Sequence, residues 1–344
     1  MAPPTSSQVL ATISPARIER LLACPLRVAF EQAQPGTSRQ QVAPWALVGF
    51  AVHRTIELCL ADPPVALADA WDQACEELSK EGDDPRAVPN ARRSLLRLER
   101  RLPELLSYIA DRAPAEKLRE YLLTSPDGVV TGQLDLLVLG ERPSVIDHKT
   151  GLVLAEGLPR PHYERQLAIY AWLVQAALDV DVNDGALFSL REGVVELDVS
   201  TKVRDSIVAG ALRARDAFNE RAPGAQPATP SDRACGSCPF VGPCDVAWDA
   251  LRTGAVERFG WGDAARATVR APIVVAAGGT AAVPLDIEIG TVGGPAVLID
   301  VPAPLIDGLT IGARLSAWRL AKRSDEPLML AWREGISSMD LVEP

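Results

Sequence analysis

Asp135, Asp147 and Lys149 are the residues of this chain best placed to do chemistry together. Asp135 lies in the apolar run 132–139, and Asp147 and Lys149 lie in the next run, 145–151. Residues 140–144, with Pro143, separate the two runs. Short apolar runs of this kind read as buried strands joined by a turn. Side chains alternate along a strand, so Asp147 and Lys149 share a face and His148 points the other way, while hairpin pairing can set Asp135 beside the pair. Two carboxylates and an ammonium are costly on apolar strands unless something compensates them. A hard divalent cation, Mg²⁺ or Mn²⁺, would do so. The lysine could then position or deprotonate a water, or stabilise charge building on a phosphate. A bare Asp-x-Lys pair by itself reads as a salt bridge at a hairpin rim, so the rest of the chain has to decide.

The surrounding pattern is helical before and after this hairpin. Ser14-Pro15 starts a helix after a loosely attached segment 1–13, and Pro35 to Ser38 forms a loop. A helix opening at Pro44 runs to about Leu60 and carries Gly49 and His53 four apart, on one face. The gap at Gly49 would let another backbone approach beside the imidazole. A lone histidine on an apolar helix reads as a satisfied core residue unless other ligands converge on it. Residues 66–81 and 90–112 read as helices, the second capped by Asn90, with Arg92, Arg93, Arg97, Arg100 and Arg101 on a solvated or phosphate-tracking face. Glu120, on a strand at 118–123, is a further acid, read as a surface group. A helix at 162–178 places Gln166 and Tyr170 on one face, and strands near 186–190 and 194–199 precede a helix at 202–221.

The chain has 344 residues, 47% of them hydrophobic, and a formal net charge of −10. That length allows two domains with a sizeable core. The charge excludes a broad basic coat for nucleic acid but not a local groove. No apolar run is long enough for a membrane helix, and the N-terminus lacks a signal-peptide pattern, so a cytoplasmic protein is expected. Of six cysteines, Cys59 and Cys75 read as buried thiols. Cys235, Cys238 and Cys244 form a tight group, and Cys24 stands alone near the start. From residue 262 the pattern turns to short β runs, at 267–275, 282–289, 296–301, 312–319 and 327–332, which suggest a small barrel or sandwich. Trp318, Arg319, Lys322, Arg323, Trp332 and Arg333 there form either a stacking surface for single strands or a core tryptophan pair with surface charges.

Taken in order, Gly49-x3-His53, Gly132-x2-Asp135, Asp147-x-Lys149 and Gln166-x3-Tyr170 resemble the RecB-type branch of the PD-(D/E)xK nuclease superfamily. The cysteine pattern is similar to the iron–sulfur staple of AddB-type and CRISPR-associated RecB-like nucleases. The resemblance covers roughly residues 14–250 and leaves out the C-terminal β region. It departs from the superfamily's name at Ile146, where no proline precedes Asp147.

The short β runs are expected to form a small all-β, barrel or OB-like domain at 262–344 for nucleic acid or a partner, and the resemblance implies an α/β, restriction-endonuclease-like core with helical insertions at 14–250. It implies that His53, Asp135 and Asp147, with the backbone carbonyl near His148, bind Mg²⁺ or Mn²⁺. Lys149 would be the catalytic lysine, and Gln166 and Tyr170 would orient the scissile strand or the site. A lysine beside a metal-bound water would be disfavoured as a cation. Cys24, Cys235, Cys238 and Cys244 would hold a structural 4Fe–4S cluster, closing a loop of about 210 residues. Zinc is the competing metal for these cysteines. The implied activity is hydrolysis of DNA, at single strands or ends and more as an exonuclease than an endonuclease, in repair or antiphage defence. A helicase or defence-system partner is expected, because the sequence carries no phosphate-binding loop. A catalytically quiet DNA-binding subunit is the alternative.

Overall fold

The computed structural model describes residues 9–33, 44–80, 84–112, 116–221, 225–260, 262–334 and 336–342. The expected loop at 35–38 lies outside them. Two compact units emerge. One is built from Val9–Glu19 and Val42–Glu220, and the described residues of the other fall in Arg20–Gln41 and Arg221–Pro344. This differs from a division at 250/262, because the cysteine-bearing segments pack with the C-terminal strands. The helices are α1 (Pro15–Ala23), α2 (Pro25–Ala33), α3 (Pro44–Cys59), α4 (Leu67–Ser79), α5 (Ala91–Ala110), α6 (Pro161–Leu178), α7 (Thr201–Glu220), α8 (Asp232–Gly236) and α9 (Asp245–Arg252). Proline occupies the first position of α1, α2, α3 and α6, where its missing N–H leaves no intrahelical bond unmade.

The first unit centres on a sheet ordered β1-β2-β3-β6-β7, from β1 (Glu116–Thr124), β2 (Thr131–Leu139), β3 (Ser144–Lys149), β6 (Asp184–Ser189) and β7 (Gly193–Asp198). The two-residue strands β4 (Leu154–Ala155) and β5 (Leu158–Pro159) pair separately. β3 and β6 are parallel and the other pairs antiparallel. Leu136, Val138, Ile146, Ala186 and Phe188 turn one face toward α3, α4 and α5. The opposite face meets α6, where a Cβ on Gly132 would come within 2.8 Å of the Tyr170 ring. Covering both faces explains why β3 is buried without alternation. Two expectations fail here. Residues 9–13 are not loose, since Leu10 and Ile13 are buried and Ile13 bridges Val130. Asn90 makes no side-chain cap, because its backbone is already in the helical region.

In the second unit, β8 (Asp263–Val269), β9 (Val274–Val275), β10 (Thr280–Gly290), β11 (Gly294–Pro302), β12 (Arg314–Asp325), β13 (Leu328–Ala331) and β14 (Ser338–Val342) follow α9. β8, β10, β11, β13 and β12 pair in a closed circuit, a five-stranded barrel, with β11 and β13 parallel. β14 escaped the sequence reading; it pairs only with β12 and is largely exposed, so its apolar alternation is weak. β12 extends well past residue 319 because its charged second half is exposed, while Arg319, at a left-handed φ of 62°, shifts the register against β8. The reading of Trp318 and its basic neighbours as a stacking surface is corrected. Trp318 is 2% exposed and packs with Trp248 and Phe259. Arg319 donates to the Gly236 carbonyl at 2.8 Å, and Arg333 donates to the Arg319 carbonyl at 2.8 Å. Lys322 pairs with Asp325. Nor do β10 and β11 offer a basic or aromatic face, since residues 280–302 contain no Lys, Arg or aromatic residue.

One close approach in this unit is backbone on backbone. A Cβ added at Gly236 would meet Gly260 Cα at 2.5 Å and Gly260 N at 2.7 Å, and neither can rotate away. Gly236→Ala should therefore lower the melting temperature by about 4 °C or more. An unchanged thermal melt would show that this crossing is not close-packed.

Candidate active site

The β2–β3 ladder ends at the pair Leu136↔Ile146, which leaves Asp135 and Asp147 facing each other where the strands part. Asp147 is 2% exposed, so its contact with Lys149 Nζ is an interior ion pair and not one at a hairpin rim. Gln166 Nε2, from α6, donates to Asp147 Oδ1 at 2.9 Å and to the Tyr170 hydroxyl at 3.3 Å. The His148 backbone N–H donates to Asp135 Oδ2 at 2.6 Å. His53 Nδ1, from α3, stands 3.6 Å from Asp135 Oδ1. The structure thus brings His53, Asp135, Asp147, His148, Lys149, Gln166 and Tyr170 into one place in the first unit. Gly132 is required there because of the Tyr170 ring over it. The reason expected for Gly49 is not found: no described atom lies within 4 Å of a Cβ built there.

Glu120 belongs nearer this site than its sequence suggested. Its neighbours Arg119 and Tyr121 pair with Leu136 and Leu134, so Glu120 comes opposite Asp135. It holds a left-handed φ of 46° and accepts a hydrogen bond from Gln133 Nε2 at 2.9 Å. An irregular backbone at one residue interrupts the strand's alternation, and no sequence pattern announces it.

Burial dominates the electrostatics. It pushes the Asp147 carboxyl up to about 6, against the opposing pull of Lys149 and with help from Asp135. Burial also acts on Asp135, but the His53 hydrogen bond, the charges of both histidines and the His148 N–H hold it well below the usual carboxylate range. Burial pushes His148 down to about 4. Burial would lower Lys149 as well, yet the Asp147 carboxylate outweighs it and raises the amine. Asp147 thus favours the charged form of Lys149 in this arrangement. Burial raises Tyr170, and burial and Asp135 raise Glu120.

The donor set suits a divalent cation. Asp135, His53 and His148 each offer a ligand atom, all within 4.8 Å of one another. Both ring nitrogens of His148 are buried without a hydrogen-bond partner.

In the second unit, Thr229 Oγ1 donates to the Ala23 carbonyl, Leu26 N–H donates to the Pro227 carbonyl at 3.1 Å, and Phe30 stacks on Phe240. These contacts bring Cys24 to Cys235, Cys238 and Cys244 around one cavity, lined also by Leu26, Phe30 and Phe240. Burial raises Cys235 to about 11 and Cys238 to about 12. Four free thiols in an apolar cavity are a donor set for a soft metal or an iron–sulfur cluster.

A family model described as the PD-(D/E)XK nuclease superfamily matches residues 12–245. The chain belongs to that superfamily. A search of curated proteins finds no match. Among solved structures, the crystal structure of SSO0001 is 17% identical, with a TM-score of 0.29, over 67% of this chain and 84% of that one. A protein from Eubacterium rectale named "Putative exonuclease" is 10% identical, with a TM-score of 0.37, over 61% of this chain and 83% of that one. Likeness at that level carries no argument beyond the superfamily match. As a PD-(D/E)XK nuclease the chain has a nucleic acid as substrate, and no described helix is long and apolar enough to cross a membrane.

The electrostatics of the site yield a pH dependence. The folded-state value of Asp147 lies above the ordinary 3.8, so its contribution to stability is present below about 3.8 and is lost as pH rises through about 6. A cation competes with that proton. Millimolar Mn²⁺ should therefore raise the melting temperature at pH 7.5 by several degrees, and the rise should vanish near pH 4.5. A Mn²⁺ effect independent of pH across that range would remove Asp147 from the cation's ligands.

Proposed function

We propose that this protein is a Mg²⁺- or Mn²⁺-dependent deoxyribonuclease of the RecB-type branch, acting on single strands or DNA ends as an exonuclease. The reading rests above all on the convergence of Asp135, Asp147, Lys149 and His53, from three separate elements, at the end of one strand ladder. Repair or antiphage defence is the setting that suits such an activity, with unwinding supplied by a helicase or defence-system partner. Residues 14–250 are the nuclease domain in this reading.

His53, Asp135 and Asp147 would hold the cation, with the backbone at His148 beside them. When bound, it supplies Lewis-acid polarisation of the phosphate and acidifies a water. Lys149, kept protonated by Asp147, neutralises charge on the phosphate oxygens as water attacks phosphorus and the P–O bond breaks. Gln166 holds Asp147 Oδ1 and the Tyr170 hydroxyl, so the carboxylate cannot rotate away. Lys149→Ala should reduce cleavage of end-labelled single-stranded DNA at least about a thousandfold while the protein still folds, at a lower melting temperature because Asp147 loses its ion-pair partner. Cleavage by the variant at the wild-type rate would sink the assignment. No cleavage by metal-loaded wild-type protein would favour a DNA-binding subunit instead.

Cys24, Cys235, Cys238 and Cys244 hold a 4Fe–4S cluster in this reading, supported by their sharing one cavity. Cys238→Ala should then lose the brown colour of anaerobically purified protein and melt at a clearly lower temperature. Colourless wild-type protein containing zinc would replace the cluster by a zinc site.

A further inference from the structure

His148 has a side chain that the proposed mechanism does not use. In the reading above that position contributes only its backbone. Here the position carries an imidazole on the α3 side of the sheet, the side that Ile146 also faces. The ring is 3% exposed, and neither Nδ1 nor Nε2 has a hydrogen-bond partner. A neutral imidazole has one N–H to donate and one lone pair to offer, and both are unmet. Phe188 lies edge-on at 6.0 Å on one side, which explains the packing but satisfies neither nitrogen. On the other side lies His53, with ring centroids 5.5 Å apart and planes at 73°. A ring nitrogen of each histidine and a carboxylate oxygen of Asp135 fall within 4.8 Å of one another. The three residues come from α3, β2 and β3, so no single local motif accounts for their meeting.

We propose that the His148 imidazole is itself a metal ligand, joining His53, Asp135 and Asp147 in a site of two imidazoles and two carboxylates that takes a transition-metal ion in preference to Mg²⁺. The inference rests on the reading above that His53 and Asp135 hold the cation. It adds a ligand and with it a selectivity. Mg²⁺ takes oxygen donors in a near-ideal octahedron and dehydrates reluctantly. Imidazole nitrogen suits zinc, iron, copper and nickel, and affinity for nitrogen donors generally rises from Mn²⁺ toward Cu²⁺. Donors around one such ion stand about 3–4 Å apart, given metal–nitrogen distances near 2.1 Å. The cation would also satisfy one of the two orphaned nitrogens, which no described protein atom does.

The test uses the full-length, metal-free protein. Mn²⁺ binding is read from the loss of the free-ion electron paramagnetic resonance signal, and Mg²⁺ binding from calorimetry. His148→Phe, which keeps an aromatic ring against Phe188, should weaken Mn²⁺ at least about tenfold and leave Mg²⁺ within about threefold. Asp135→Asn should weaken both. If His148→Phe keeps wild-type Mn²⁺ affinity while Asp135→Asn loses it, the inference falls and the proposed cation site stands. If Asp135→Asn also binds as wild type, both fall. Pulsed measurements on Mn²⁺ bound to wild-type protein need no variant: coupling to two imidazole nitrogens supports the assignment, and coupling to one overturns it.

Discussion

Everything in the first unit answers to the placing of two carboxylates where a strand ladder opens. Asp135 and Asp147 face each other with Asp147 almost wholly buried, and water cannot relieve their repulsion. An ammonium from Lys149, an amide from Gln166 and a backbone N–H from His148 are spent on these two groups. Interior carboxylates are tolerated only with such partners. The strain remaining is visible in opposite shifts, Asp147 upward and Asp135 downward. Neighbouring carboxylates divided in this way are a common mark of a functional site.

The scaffold serves that placement on both faces of the sheet. α3 delivers His53 from one side, and α6 delivers Gln166 and Tyr170 from the other. Tyr170 lies flat against β2 only because residue 132 has no side chain, so a glycine three positions before Asp135 is part of the site without touching its chemistry. A one-residue slip of β3 would exchange the two faces and remove Asp147 from Gln166. The parallel pairing with β6 guards against this, since Asp147 is aligned with Leu187 and His148 with Phe188.

The second unit follows a different economy. Its cysteines stand on short loops and short helices, which have little cohesion of their own. The barrel strands lend them support through Arg319 to the Gly236 carbonyl and Arg266 to Asp245 and the Gly242 carbonyl. Of these two, Arg319 looked like a ligand for nucleic acid in the linear sequence. In three dimensions their charges are taken up by backbone carbonyls and an acid. The barrel is therefore bound to the cysteine region by polar side chains, and its sheet face at β10 and β11 carries no cationic residue.

Local sequence determined the strand pair, the order of helices and the members of the site, because each depends on short-range rules. Apolar runs broken by Pro143 make a hairpin, alternation sets Asp147 with Lys149, and a spacing of four joins Gln166 to Tyr170. Six of the seven grouped side chains were legible in that way or through the resemblance. The seventh, the His148 ring, was not, since the sequence says only that it points away from Asp147. What lay on the other side of the sheet was decided by where α3 crosses it. Glu120 was hidden for a related reason, because one left-handed residue breaks the alternation of a strand without altering its register or its composition. The fate of Trp318 and of the arginines around it likewise depended on long-range packing. A buried tryptophan and an exposed one read alike in a sequence, and only the tertiary fold decides which surface is left to water.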